Sequence, residues 1–141
     1  MDRIEKISLA DLNSMYAARK IRYEVFCLEQ KVSAEGDWDN KVSENYLFYS
    51  DGTPCATIRY RKIGKCFKIE RLCVLKAYRN RGIARMLMQR VISDIRKSSK
   101  AKIILHAQTY VLQFYLSLGF KPQGKEFFEE GIAHYSMTRE D

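Results

Sequence analysis

The pattern of apolar and polar positions predicts one helical segment followed by short strands in the first half of the chain. Apolar residues at helical spacing predict a mostly helical segment over residues 9–30, after a first strand over 3–8. Residues 33–43 are polar, acidic and turn-like. An antiparallel meander then follows, because turn-forming residues separate the strands predicted at 45–50, 56–63 and 67–74.

The second half of the chain changes period. After Gly82 the apolar positions repeat every 3.6 residues, which predicts an amphipathic helix. A buried strand over 102–107, a helix over 111–118 and extended segments over 120–137 follow. The strand, helix, strand passage through 67–107 implies a right-handed crossover and a local parallel pair. The predicted fold class is mixed α/β, with an otherwise antiparallel sheet.

Length and composition predict a single domain. A chain of 141 residues with 46% hydrophobic residues can bury one core. No apolar run approaches the roughly 20 residues of a membrane-spanning helix, and the N-terminus lacks a hydrophobic signal segment, so we expect a cytoplasmic protein with no membrane association. The four cysteines form no Cys-x-x-Cys pair and the two histidines have no ligand-spaced neighbour. We therefore expect buried free thiols and no metal site.

The net charge of +8 is concentrated in the middle of the chain. Residues 59–102 contain fifteen Lys and Arg residues against only Glu70 and Asp94, whereas both flanking segments are net acidic. This distribution indicates a polyanionic ligand at the centre and a cationic one held by the flanks. The alternative is a solvated basic face.

The basic middle contains a turn suited to a diphosphate. Residues 70–84 end a β-branched, apolar strand in a basic turn and begin the amphipathic helix. The first turn of a helix leaves backbone N–H groups without partners, and its dipole places partial positive charge there. Gly82 lets the backbone approach a ligand closely, and the small Ala84 keeps the ligand side open. Formal charge is added by Arg79, Arg81 and Arg85.

Two motifs carry a resemblance to a known family. Neither a Walker loop nor a dinucleotide fingerprint is present. The turn Arg79-x-x-Gly82-x-Ala84 instead resembles the Arg/Gln-x-x-Gly-x-Gly/Ala signature of the GNAT acyltransferases. Residues 114–120, Phe-Tyr-Leu-Ser-Leu-Gly-Phe, look like the second signature of that superfamily, and residues 22–30 are similar to small stand-alone bacterial members.

The resemblance implies acetyl-CoA as the cofactor. In family members the sheet has helices on both faces and opens at a splayed parallel pair, where the thioester enters. The diphosphate would lie on the turn, the pantetheine arm along the preceding strand edge, and the Val74 N–H would stabilise an oxyanion. Gln108 stands where many members have Asn. The implied cofactor-binding residues are Leu72, Cys73, Val74, Arg79, Asn80, Arg81, Gly82, Ile83, Ala84, Arg85, Gln108, Phe114 and Tyr115.

Two residues are predicted to be catalytic. Tyr115 matches the family tyrosine near the CoA sulfur, and a phenol can protonate a leaving thiolate, whose ordinary pKa is near ~8.5. The alternative is that Tyr115 only packs on the sheet. Glu70 is the carboxylate near the strand end that would serve as general base. The alternative is a salt bridge with Arg59, Arg61 or Lys68.

Four residues are candidates for binding the acceptor. The candidate substrate-binding residues are Arg22, Phe26, Glu29 and His134. An ordinary strand-end role is the alternative for His134. Recognition of a cationic acceptor, or simply a polar loop, would explain the acidic residues Glu29, Glu35, Asp37 and Asp39.

Three functions from different classes fit parts of this sequence. The favoured one is an N-acetyltransferase in which an amine of a small molecule or peptide attacks acetyl-CoA directly in a ternary complex. A homoserine-lactone-type acyl synthase shares the fold, but those enzymes are usually longer and lack so clear a turn. A non-catalytic nucleic-acid binder would need aromatic residues interleaved with the basic cluster, and these are sparse. We therefore expect no nucleic-acid partner. An exposed C-terminal strand is a candidate for pairing across a homodimer.

Overall fold

The computed structural model describes residues 1–33 and 42–141. The acidic residues Glu35, Asp37 and Asp39 therefore lie outside the described residues. The strands are β1 Asp2–Ile7, β2 Glu44–Ser50, β3 Thr53–Ile63, β4 Cys66–Val74, β5 Ile103–Gln108, β6 Lys121–Glu129 and β7 Ile132–Arg139. They form a sheet in the order β1-β2-β3-β4-β5-β7-β6. Neighbouring strands are antiparallel except for β4 and β5, which confirms the predicted mixed α/β class.

Strand β7 is not the free edge that the sequence indicated. It pairs with β5 on one side and with β6 on the other, because the chain turns back at the tight hairpin after Glu129. The edge strand at this end of the sheet is β6, whose residues are mostly exposed. The expected homodimer pairing stays a prediction, with β6 as the strand available for it.

The first helix begins later than predicted and changes type. The α-helices are α1 Leu12–Arg22, α2 Ile83–Ser98 and α3 Leu112–Leu116. Helix α1 begins after Asp11, whose carboxylate accepts a hydrogen bond from the Ser14 backbone N–H at 3.1 Å. It continues as the π-helical segment Tyr23–Glu29. The helix predicted over residues 9–30 is thus present from residue 12 to residue 29.

The helix predicted over 111–118 is shorter than expected. It is preceded by a 3₁₀ turn at Thr109–Val111, and its last turn closes on Gly119, which has a φ of +89°. The Phe120 N–H donates to the Tyr115 carbonyl at 3.2 Å, which is the closure typical of a glycine-terminated helix. Gly119 therefore ends this segment as predicted, although the α-helix itself stops two residues before the predicted end.

Helices cover both faces of the sheet, as predicted. On one face α2 buries its apolar side, and the residues of this larger core include Ile58, Ile69, Leu87, Met88, Val91 and Ile95. On the other face α1 and the π-helical segment pack over a smaller core, whose buried residues are Ile7, Ala18, Ile21, Val25, Leu47 and Cys73. The candidate site lies in the gap that opens in the sheet where β4 and β5 diverge.

The parallel pair is splayed. Strands β4 and β5 pair only at Phe67 with Ile103 and at Lys68 with Ile104, and beyond these residues they separate. In β4, Arg71 has a φ of +59°, and the register with β3 shifts at the same place. Such a β-bulge bends a strand and increases its twist. The bulge therefore accompanies the opening of the sheet toward the C-terminal end of β4.

The cysteine prediction is correct for two residues only. Cys55 and Cys73 are buried, whereas Cys27 and Cys66 are half-buried; all four are free thiols. Cys66 is more exposed than expected because it is the first residue of β4, directly after the hairpin turn.

The described part of the chain brings no three metal-binding side chains together. None of its helices is long and apolar enough to cross a bilayer.

Candidate active site

A cleft of about 790 Å³ lies where β4 and β5 diverge. The π-helical segment, β4, the turn before α2, β5, α3 and β7 all contribute to its walls. The predicted site residues that line it are Arg22, Phe26, Glu70, Leu72, Cys73, Val74, Arg79, Asn80, Gly82, Ile83, Ala84, Arg85, Gln108, Phe114, Tyr115 and His134. Two predicted residues, Arg81 and Glu29, do not line the cleft.

The N-terminus of α2 opens onto this cleft. Gly82 occupies the cap position with a φ of +78°, and no side chain caps the helix. Residues 82–85 line the cleft, and a Cβ built on Gly82 would meet no protein atom within 4 Å. Asn80 also has a positive φ of +65°, a conformation that asparagine tolerates better than most residues. The first turn of α2 therefore borders open space in the cleft, and its amides, which lack intrahelical partners, form the kind of site that binds an anion.

Arg79 is committed to two protein partners. Its Nε–H donates to the Val74 carbonyl at 2.9 Å. Its two terminal nitrogens bind the two Glu29 carboxylate oxygens at 2.6 Å each. The Arg79 hydrogen bond lowers the pKa of the Glu29 carboxyl below its ordinary value. Glu29 is therefore held against the turn over residues 79–85 and does not line the cleft, although the sequence made it a candidate substrate-binding residue.

The other two arginines of the turn differ in position. Arg81 donates to the Ala77 carbonyl at 3.3 Å, and its guanidinium lies 5.2 Å from the centre of the Tyr78 ring. Its side chain is thus turned back along the chain, away from the cleft. Arg85 lines the cleft and donates to the Ser117 hydroxyl at 2.7 Å. Arg85 therefore places a positive charge in the cleft. Among the described residues no carboxylate pairs with it.

The edge of β4 that faces the open side presents backbone groups to the cleft. The Leu75 N–H donates to the Cys55 carbonyl of β3 at 2.9 Å. Because successive peptide groups of a strand point to opposite edges, the Val74 N–H and carbonyl point toward the splayed side. Arg79 occupies the Val74 carbonyl, so the N–H is the Val74 group available to a ligand. The Cys73 side chain, in contrast, packs in the core beneath α1.

Tyr115 lies on α3 among aromatic rings. Its ring contacts Phe114 at 5.0 Å and Phe120 at 6.3 Å, both edge to face. Burial, with a smaller contribution from Tyr110, raises the pKa of the Tyr115 phenol well above its ordinary value. Among the described residues its hydroxyl has no hydrogen-bond partner. The phenol therefore stays protonated at neutral pH and can donate to a group in the cleft.

Glu70 forms the salt bridges that were the alternative to a catalytic role. Its carboxylate accepts from Arg59 Nε at 2.6 Å and from Arg61 Nε at 3.1 Å, with Lys68 Nζ at 3.8 Å. The Glu70 side chain is 9% exposed and that of Arg59 is 4% exposed. Burial alone would raise the pKa of Glu70, but the charges and hydrogen bonds of Arg59 and Arg61 outweigh it and lower that pKa. Both oxygens are therefore occupied, and the carboxylate is a weak proton acceptor.

Gln108 is paired with a residue that sequence reasoning missed. Its side-chain amide donates to Gln30 at 3.0 Å and accepts from Gln30 at 3.2 Å. Gln30 also donates to the Tyr110 hydroxyl at 3.4 Å. This reciprocal amide pair joins the end of the π-helical segment to the end of β5. The two glutamines are 78 positions apart, so no local signal in the sequence could have paired them.

His134 is oriented by a backbone bond. Its Nδ1 lies 2.7 Å from the Ile132 carbonyl, and because a carbonyl only accepts, Nδ1 carries the proton. The ring stacks on Phe127 at 5.8 Å and lines the cleft. With Nδ1 as the donor to this carbonyl, a lone pair of the imidazole lies on Nε2. Arg22 also lines the cleft but is only 2% exposed and contacts the Asn45 side chain at 3.5 Å.

A second histidine on the same face was also missed. The Nδ1 atom of His106 lies 3.1 Å from a Glu129 carboxylate oxygen, and both residues line the cleft. The His106 ring packs edge to face on Phe127 at 5.1 Å. The period-2 alternation of strands places His106 on the same face of β5 as Gln108. That alternation was the sequence signal that could have found it.

Comparisons with known proteins agree with this architecture. A model of the acetyltransferase (GNAT) domain matches residues 13–140. The Bacillus subtilis protein YyaT is 34% identical over 131 residues, covering 89% of this chain and 88% of its own length. An acyl-CoA N-acyltransferase from Pseudomonas aeruginosa superposes with a TM-score of 0.88 at 26% identity, covering 99% of both chains. The PaiA N-acetyltransferase from Thermoplasma acidophilum, solved in complex with coenzyme A, shares the fold with a TM-score of 0.72 at 17% identity, covering 100% of this chain and 99% of its own.

Proposed function

The chain belongs to the GNAT acetyltransferase family, and we propose that it transfers an acetyl group from acetyl-CoA to an amine of a small molecule or peptide. The amine attacks directly while both substrates occupy the cleft. The observation that carries the proposal is the uncapped start of α2, which opens onto the cleft between β4 and β5.

The diphosphate is held by the first-turn amides of residues 82–85. The helix dipole favours an anion there, and Arg85 adds a full positive charge beside them. The pantetheine arm follows the open edge of β4. The amide-bearing arm suits this edge because the Val74 N–H is directed to the splayed side. Bound acetyl-CoA supplies the activated thioester.

Two groups are placed to stabilise charge as the acetyl group is transferred. The Val74 N–H donates to the oxygen on which negative charge develops. The Tyr115 hydroxyl donates its proton to the departing thiolate. Two observations support this role: Tyr115 lines the cleft, and its hydroxyl has no hydrogen-bond partner among the described residues.

A group that removes a proton from the amine is also required, since an ammonium has no lone pair with which to attack. Glu70 is poorly suited, because Arg59 and Arg61 lower its pKa and occupy its oxygens. We assign the role to His134, whose Nδ1–H bond to the Ile132 carbonyl leaves the lone pair on Nε2. The proton is then held at Nε2 while the amine attacks.

Isothermal titration with acetyl-CoA and with a random DNA duplex tests the class of function. We expect micromolar binding of acetyl-CoA and no DNA binding that falls steeply with salt. The reverse result would contradict the proposed enzyme and indicate a basic nucleic-acid-binding domain instead. A panel of amines and amino-acid derivatives is then incubated with acetyl-CoA, and the released thiol is measured. The transferase proposal would be contradicted if acetyl-CoA binds whether or not an amine is present and no amine of the panel causes thiol release.

A further inference from the structure

The turn over residues 79–85, where the diphosphate of coenzyme A is proposed to bind (the cofactor turn), is tied to the π-helical segment Tyr23–Glu29 by a two-point ion pair. Arg79 binds both oxygens of Glu29 at 2.6 Å, and the two residues are 50 positions apart. Such bidentate pairs fix the relative orientation of both groups as well as attracting them. The first residue of the turn and the last residue of the π-helical segment are therefore held in one geometry.

Arg79 also fixes the strand edge that the pantetheine arm would follow. Its Nε–H donates to the Val74 carbonyl, so a single guanidinium contacts the end of β4 and the π-helical segment together. Three of its five N–H groups are used in this way. The remaining two, one on each terminal nitrogen, have no partner among the described residues, and Arg79 itself lines the cleft.

The π-helical segment forms the opposite wall of the cleft. Tyr23 and Phe26 both line the cleft from this segment. The residue after it, Gln30, makes the reciprocal amide pair with Gln108 of β5. A π-helix is a rare form that is often found at functional sites. The segment is thus anchored to the cofactor turn at Glu29 and to β5 at Gln30.

We propose that Arg79 and Glu29 are positioning residues that transmit occupancy of the cofactor turn to the wall formed by Tyr23–Glu29. The proposal rests on the proposed function, since coenzyme A must bind the turn. When the first-turn amides hold the diphosphate, the turn loses mobility, and the ion pair passes this restraint to Glu29. The side chains of Tyr23 and Phe26 are then held in the arrangement that receives the amine.

Hydrogen exchange measured by mass spectrometry, with and without coenzyme A, tests the proposal without a known acceptor. In the unmodified protein coenzyme A should slow exchange in peptides covering residues 82–85 and also in those covering 23–29. In Glu29→Gln the slowing at 82–85 should persist, while the slowing at 23–29 falls by about threefold, the size expected of one partly exposed ion pair. Arg79→Lys, which cannot bind both carboxylate oxygens in the same plane, should behave in the same way.

Glu24→Gln is the matched control, because Glu24 is an exposed glutamate of the same π-helical segment with no ion pair among the described residues. It should respond to coenzyme A as the unmodified protein does. Slowing at 82–85 with none at 23–29, or equal slowing at 23–29 in Glu29→Gln and Glu24→Gln, would overturn the inference. Absence of slowing at both places in the unmodified protein would instead overturn the proposed function.

Discussion

Replacement of Glu70 by glutamine removes the carboxylate from a buried group of charged side chains. The side chain of Glu70 is 9% exposed, and it neutralises Arg59, which is 4% exposed, together with Arg61 and Lys68. Removing one partner of a buried ion pair destabilises a protein by roughly 3–5 kcal/mol, because the remaining charge stays desolvated. We expect about 3 kcal/mol, since Arg61 and Lys68 retain some contact with solvent. This corresponds to a fall in Tm of roughly 10 °C for a chain of this size.

The effect of Glu70→Gln should depend on pH in one direction. The folded protein lowers the pKa of Glu70 below its ordinary value of 4.5. The stabilisation by the carboxylate is therefore fully present above about pH 4.5 and is lost as the pH falls through the lowered pKa. Urea unfolding at pH 7 and at a series of pH values below 4.5 should show the two proteins converging in free energy of unfolding as the pH falls.

The matched control is Glu44→Gln. Glu44 pairs with Lys6 at 3.6 Å, but both side chains are nearly half exposed, so this change should alter the free energy of unfolding by less than about 1 kcal/mol. A loss in Glu70→Gln no larger than that in Glu44→Gln, or one that does not shrink below pH 4.5, would refute the buried ion-pair reasoning. Unchanged stability with abolished turnover would return Glu70 to the role of general base.

Three further changes have expected outcomes. Tyr115→Phe should lower kcat about 10²-fold or more while leaving the Kd for acetyl-CoA within about twofold, and equal turnover in both proteins would remove Tyr115 from the chemistry. Asp11→Ala should lower the free energy of unfolding by about 1 kcal/mol in urea titrations, because the Ser14 N–H at the start of α1 loses its cap, and an unchanged midpoint would contradict this. Arg85→Gln should weaken coenzyme A binding about tenfold in titration calorimetry, whereas Lys97→Gln, at an exposed position of the same helix, should not; equal affinities would contradict the placement of Arg85.

The parts of the fold that local patterns specify were predictable. The 3.6-residue period after Gly82 predicts α2, which buries its apolar side on the sheet. The turn-forming residues between the strands likewise predict the β2–β4 meander, because this signal is also local in sequence. The bulge at Arg71 and the position of β7 between β5 and β6 were not predictable, because both depend on pairing with strands distant in sequence. The change from α- to π-helix at Tyr23 likewise has no signal in the apolar spacing.

The same division holds for the candidate site. The uncapped turn at Gly82 follows from a basic loop that contains a glycine before a helix, so local sequence predicts the group that would receive a diphosphate. The partners of Arg79 and Glu70 do not follow from local sequence. Arg79 contacts a residue 50 positions away, and Glu70 is enclosed by cations from two strands. A charged residue in a motif can therefore be assigned to a ligand or to the protein only when its neighbours in space are known.

The most direct measurement compares the affinities of Gly82→Ala and Gly124→Ala for coenzyme A and for pantetheine, which lacks the diphosphate. Both glycines have a φ of +78° and no atom within 4 Å of an added Cβ, so alanine strains both by a similar amount, about 1–2 kcal/mol. If the diphosphate lies on the first-turn amides of α2, Gly82→Ala should lower the affinity for coenzyme A at least tenfold and leave the affinity for pantetheine unchanged. Gly124→Ala should change neither affinity. Equal affinity of the two variants for coenzyme A, or an equal loss for pantetheine, would contradict the account.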